Sequence, residues 1–182
     1  MGLGLGEEKG LYEKAKGEMR LFERILGELP GFRGYKEKEL RRETDRLIRN
    51  HAYRRLEKAR GDAKEVFQAL SNRRVSEALT DMDRLIMGFD RVVEKINHAS
   101  YGYAGFFNVL KVQEEKLDKM IAFDSTLLDQ VQKIMDETNT FKGEVTRNEF
   151  GEARAHIQKL QDLLGSLEET FDERGEVILG VK

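Results

Sequence analysis

Val75-Ser76-Glu77-Ala78-Leu79-Thr80-Asp81-Met82-Asp83-Arg84-Leu85-Ile86-Met87-Gly88-Phe89-Asp90-Arg91-Val92-Val93-Glu94-Lys95-Ile96 decides the fold. Val75, Leu79, Met82, Ile86, Phe89, Val93 and Ile96 alternate steps of four and three without a miss. That spacing puts all seven on one side of an α-helix. Sustained over about three heptads, it reads as the seam of a helical bundle or coiled coil. A half-buried strand would alternate at every second residue, and this stretch does not.

The same rhythm recurs toward the C-terminus: Phe150, Ala153, Ile157, Leu160, Leu164, Leu167 and Phe171 predict a helix over about 148–174. Asn148 is its expected N-cap, with Glu149 and Glu152 suited to the first turn. Leu117, Ile121, Leu128, Val131 and Met135 predict another helix over about 113–138, with Asp124 on the same stripe. A carboxylate there needs donors, which the hydroxyls of Tyr101 and Tyr103 would offer, unless the helix is turned to expose it. A polar loop is expected from Asn139 to Arg147.

Upstream, a helix is predicted from about Lys36 toward Leu70, with Gly61-Asp62 a place for it to bend or divide. Its stripe is Leu40, Leu47, Ile48 and Ala59, with Thr44 and His51 alongside, and Ser71-Asn72 is read as its break. Leu11, Ala15, Met19, Phe22, Leu26 and Leu29 mark a shorter, Gly-weakened helix over 11–29, which Leu29-Pro30-Gly31 closes. Residues 1–10 are expected as a flexible leader and Val177-Ile178-Leu179 as a short apolar tail. Gly2 lacks the Ser or Thr at position 6 that an acylation signal wants. Amphipathic helices joined by short links can cover their stripes only against one another. The expected fold is therefore all-α, one domain over 11–182. It is an antiparallel bundle of four long helices plus the shorter N-terminal one.

The composition agrees. Charged residues make up 36% of the 182, against a usual quarter, and there is a single proline. The absence of cysteine excludes disulfides, thiolate nucleophiles and Cys-based zinc sites. Together with the heavy Lys, Glu and Arg usage, it would also suit a thermophile-like composition. No apolar run reaches the roughly 20 residues that span a bilayer.

Catalytic patterns are missing. No Gly-x-x-x-x-Gly-Lys-Ser/Thr loop and no Gly-x-Ser-x-Gly elbow occurs. A carboxylate-bridged metal pair would need Glu-x-x-His on two helices, and none is present. Glu94/His98 and Glu152/His156 are spaced by four, so each could share a metal or simply pair on a helix surface. These two pairs carry the alternative of a metal-binding enzyme or carrier. The leading expectation is no enzyme, no metal and no cofactor.

One charge feature is asymmetric. Arg33 to Arg60 holds 11 basic and 5 acidic residues in a chain whose formal charge is -2. Lys38, Arg42, Arg46, Arg49, Tyr53 and Arg60 share one sector, roughly opposite the Leu40/Leu47/Ile48 stripe. Two readings stand: a helix face balanced by its own and neighbouring acids, or a contact for an anionic partner such as RNA or an acidic protein surface. The second cluster, Tyr101, Tyr103, Phe106 and Phe107, suits an end plug of the bundle or a protein contact. No basic residue lies between Ser100 and Leu110 to support base stacking. Membrane-surface attachment is disfavoured because the acids of 11–29 cancel its bases. Self-association would follow if the seams of 75–96 and 150–171 stayed open.

Gly34-Tyr35-Lys36-Glu37-Lys38-Glu39-Leu40-Arg41-Arg42-Glu43 and Gly102-Tyr103-Ala104-Gly105-Phe106-Phe107 resemble a family of small all-helical prokaryotic proteins with no known activity. The resemblance implies a prokaryotic, cytoplasmic protein and no mechanism. Together these features predict a non-enzymatic scaffold or adaptor that binds a macromolecule, with a protein the leading partner.

Overall fold

The computed structural model describes the backbone of residues 37–99 and 114–179 and the side chains of 47–99 and 122–176. Four helices account for nearly all of it: α1 (Glu37–Asn72), α2 (Ser76–His98), α3 (Glu114–Thr146) and α4 (Ala153–Leu179). The protein is all-helical among the described residues. The leader 1–10, the helix expected over 11–29 and the aromatics Tyr101, Tyr103, Phe106 and Phe107 lie outside them.

α1 packs against α2 and α3, and α4 packs against the same two. Matched residues give the directions. Along α3 and α4 the pairs run from Glu144 with His156 through Gln130 with Thr170 to Asp124 with Arg174, so these helices run oppositely. Along α1 and α3, Arg55 meets Gln132 and Asp62 meets Lys142, so these two run the same way. Glu77 with Arg154 and Lys95 with Asp172 give α2 and α4 a common direction.

One apolar core runs between the four. α2 contributes Ala78, Met82, Leu85, Phe89, Val92, Val93 and Ile96. Met82, Phe89, Val93 and Ile96 belong to the expected seam, while Leu79 and Ile86 are half-buried at its edge. α4 buries Ala153, Ile157, Leu160, Leu164, Leu167 and Phe171, every expected position within that helix, and Phe150 packs half-buried just before it. Each fully buried Leu, Ile or Phe contributes on the order of 1.5–3 kcal/mol. The two seams that invited self-association are thus covered within one chain.

α1 meets expectation in part: Ile48 and Ala59 of the expected stripe are buried and Leu47 is half-buried. Its core face is Ile48, Ala52, Leu56, Ala59, Ala63, Val66 and Leu70, and Leu47 sits half-buried beside it. The buried face is turned by about a quarter of the helix circumference from the Leu40/Leu47/Ile48 stripe. Three alanines carry it, because small side chains let the neighbouring helices approach. The helix is not divided at Gly61-Asp62: Gly61 is exposed with open space around it, and Asp62 is buried with a lysine partner.

The expected loop 139–147 is helix through Thr146. Phe141 and Val145 are buried and extend the apolar stripe of α3. Threonine hydroxyls here donate back to carbonyls one turn earlier: Thr138 to Ile134, and within the expected loop Thr140 to Asp136 and Thr146 to Lys142.

Asn148 does not cap α4; it ends α3. At φ 64° it is left-handed, its amide bonds to the Val145 carbonyl, and the Glu149 amide reaches Glu144. That pair of bonds satisfies the last free carbonyls of a helix in the Schellman arrangement. α1 closes identically, just past the expected break. Arg74 has φ 58°, with Arg74 N–H on Ser71 and Val75 N–H on Leu70. Val177-Ile178-Leu179 is not a separate tail, because its backbone forms the last turn of α4.

Candidate functional site

The basic row of α1 comes first. Because the core face is turned, the row flanks the core on the side of α2 instead of lying opposite it. Tyr53 packs partly buried against the core. Arg60 donates to Asp90 of α2 at 2.9 Å and pairs with Glu57 at 2.8 Å, while Lys64 stands 3.7 Å from the same Asp90. Arg49 is half-buried. The side chains of Lys38, Arg42 and Arg46 lie outside the described ones. The described half of the row is therefore engaged in packing and ion pairs.

Charges gather instead along the seams between helices. Arg174, 1% exposed, donates through Nε to Asp124 Oδ1 at 2.6 Å, and Asp124 is itself 7% exposed. Arg174 of α4 thus gives Asp124 one donor, while Tyr101 and Tyr103 lie outside the described residues. On the α2–α4 seam, Lys95 donates to Asp172 at 2.6 Å and to Glu168 at 3.2 Å, and Arg91 also binds Glu168. Burial works against the Lys95 charge, but the bonds to Asp172 and Glu168 outweigh it and raise its pKa. On the α1–α3 seam, Lys142 meets Asp62 at 2.5 Å and Glu65 at 2.6 Å, bonds that raise the lysine's pKa.

The last cluster surrounds His156 on α4. Its Nδ1 lies 2.6 Å from Glu137 Oε1 and its Nε2 2.9 Å from Glu144 Oε2, both on α3. Phe141, between those two glutamates in sequence, stacks on the imidazole with centroids 5.0 Å apart and planes 14° from parallel. Lys159 takes the other Glu137 oxygen. Burial disfavours the His156 charge, yet the two glutamates outweigh it and raise its pKa above 6.5. Burial likewise opposes ionisation of Glu137, but Lys159 and His156 hold its carboxyl below the ordinary value of 4.5.

This geometry answers where the two Glu/His pairs go. His156 turns both nitrogens to Glu137 and Glu144, not to the Glu152 side chain. The two carboxylates sit at opposite edges of the ring, so a single cation cannot bridge them. Glu94 and His98 do meet, at 2.9 Å, as an exposed pair on one helix. Among the described residues no group of three or more acids or histidines is placed to hold a metal ion. No described helix is long and apolar enough to cross a membrane.

Sequence reasoning misses Arg174 and His156 as seam residues, although a signal is present. Arg174 falls three residues after Phe171 on the stripe of α4, as Asp124 falls on that of α3. Opposite charges on two facing stripes mark a buried pair. No protein-family model matches the chain, and no curated protein or solved structure matches it.

Proposed function

We propose that the protein is a non-enzymatic scaffold, a four-helix bundle whose up-going α1 and α3 lie side by side and whose down-going α2 and α4 do likewise. In this reading it binds an acidic surface of a protein partner through the first turns of α1, around Lys38, Arg42 and Arg46. The supporting observation is a mismatch of lengths. α1 has 36 residues and α2 has 23, and a three-residue turn aligns them at one end. At a rise of about 1.5 Å per residue, α1 outruns α2 by roughly 20 Å. Arg60 is matched by Asp90 of α2. The backbone of that overrunning stretch carries Lys38, Arg42 and Arg46.

A protein partner fits better than RNA because Glu37, Glu39, Glu43 and Asp45 interrupt the basic residues and would repel a phosphate backbone. The matched seam charges fit a stabilising role and leave catalysis without a candidate. A cytoplasmic site of action suits the cysteine-free composition.

Immobilised protein, nuclease-treated lysate and a wash at low or high salt test the reading. We expect a protein retained at low salt, released at high salt, and lost when Lys38, Arg42 and Arg46 are all changed to Glu. Retention that nuclease abolishes replaces the protein partner with RNA. Stoichiometric transition metal in the purified protein, or no retained macromolecule at any salt, overturns the proposal.

A further inference from the structure

The arrangement around His156 makes a demand that an ordinary surface ion pair does not. Glu137 and Glu144 come from positions one heptad apart on α3 and reach opposite edges of one ring. Ionised carboxylates only accept hydrogen bonds, so each contact needs its own ring N–H. Both are present together only in the imidazolium form. A neutral ring must turn a lone pair toward one of the two carboxylates.

That loss would be felt because the cluster is sheltered. The side chains of His156, Glu137 and Glu144 are 13%, 8% and 24% exposed. Phe141 stacks on the ring and prevents it from swinging into another position without breaking that contact. A carboxylate facing a lone pair in such surroundings recovers only by drawing in water or moving away.

The other charges at this level are already matched. Lys159 of α4 holds the remaining oxygen of Glu137. Asp62 and Glu65 of α1 share Lys142, and Glu77 of α2 lies 3.6 Å from Arg154. Arg147 binds Glu149 in the connector and also feels the charge of Glu144. Among these, only the His156 ring changes charge near neutrality.

We propose that His156 is a pH-sensitive latch. Doubly protonated, it ties the C-terminal turns of α3 to the first turn of α4; losing one proton, it releases that end of the seam. The far end, held by Arg174 and Asp124, stays shut because a guanidinium keeps its charge. Opening is therefore local, confined to the α3–α4 connector and the turns on either side of it.

Two measurements on the full chain decide the matter. NMR of the His156 ring should show both nitrogens protonated below its titration midpoint, and that midpoint should lie above 6.5. Amide exchange, corrected for intrinsic rates, should then report the opening. Protection over residues 145–157 should fall as pH rises through that midpoint, by roughly tenfold for each unit by which it exceeds the ordinary value. Protection around Asp124 and Arg174 should hold. H156Q should remove the pH dependence while leaving the fold intact by circular dichroism. A His156 midpoint at or below 6.5 overturns the proposal, and so does a loss of protection equal at both ends of the seam. Because the ring titration is read on the unmodified chain, a variant that fails to fold does not rescue the idea.

Discussion

The two ends of the α3–α4 seam solve one problem with different chemistry. Near the C-terminus of α4, Arg174 and Asp124 form a buried pair, the arginine 1% exposed. Near its N-terminus, His156 stands between two glutamates with a lysine in support. Both ends bury charge, and both offset the loss of hydration with direct hydrogen bonds. They differ in permanence. Arginine is charged at every pH the protein meets, whereas imidazole is charged only while its pKa stays above ambient pH. A seam built this way is fixed at one end and conditional at the other.

The largest effect should come from breaking the permanent end. R174M leaves the Asp124 carboxylate buried without its guanidinium, and we expect a loss of about 3–5 kcal/mol in urea unfolding. Replacing both partners, as D124L/R174M, should recover part of that loss, because the two buried charges are removed together. If the single and double variants were equally unstable, packing and not the pair would be what holds this end.

A smaller effect sharpens a second contrast, between the two helix ends that close in the left-handed conformation. α3 uses Asn148, which tolerates that conformation, but α1 uses Arg74 at φ 58°. R74G should raise stability by about 1 kcal/mol, seen as a higher melting temperature, because glycine carries no Cβ to clash there. N148G should gain less.

The smallest effect belongs to the α1–α3 seam. K142M removes the partner of Asp62 and Glu65, yet the Lys142 side chain is 37% exposed and Glu65 more so. Solvent screening should keep the loss within about 1 kcal/mol by the same unfolding measurement, well under that of R174M.

How much of this is legible in the sequence depends on which side chains carry the core. α2 and α4 are legible because large apolar residues repeat at helical spacing with few interruptions. The rotation of α1 is not, because Ala52 and Ala63 help carry its buried face and register weakly beside Leu40 and Leu47. The end of α3 reads as a loop because its run of polar residues looks like a connector until Thr140 and Thr146 are seen bonding to their own helix. The buried charges are half legible. Asp124 stands out on its stripe, but Arg174 looks like the place where a stripe stops. His156 points to the wrong partner, since spacing along one helix suggests Glu152 and only the packing of two helices brings Glu137 and Glu144.

The central claim is that one end of the seam is conditional on a proton and the other is not. It is tested most directly by the urea-unfolding free energy of the wild type, H156Q and R174M from about pH 5.5 to 9. His156 has its pKa raised on folding, so its contribution is complete below 6.5 and is lost as pH climbs through the folded-state value. Across this range Glu137, whose pKa is lowered from 4.5, remains ionised, and Lys142, raised from 10.5, remains charged. The wild type should therefore exceed H156Q in acid and converge on it in alkali, while R174M, which keeps His156, stays below the wild type throughout. A gap between wild type and H156Q that is constant or widens as pH rises would contradict the account.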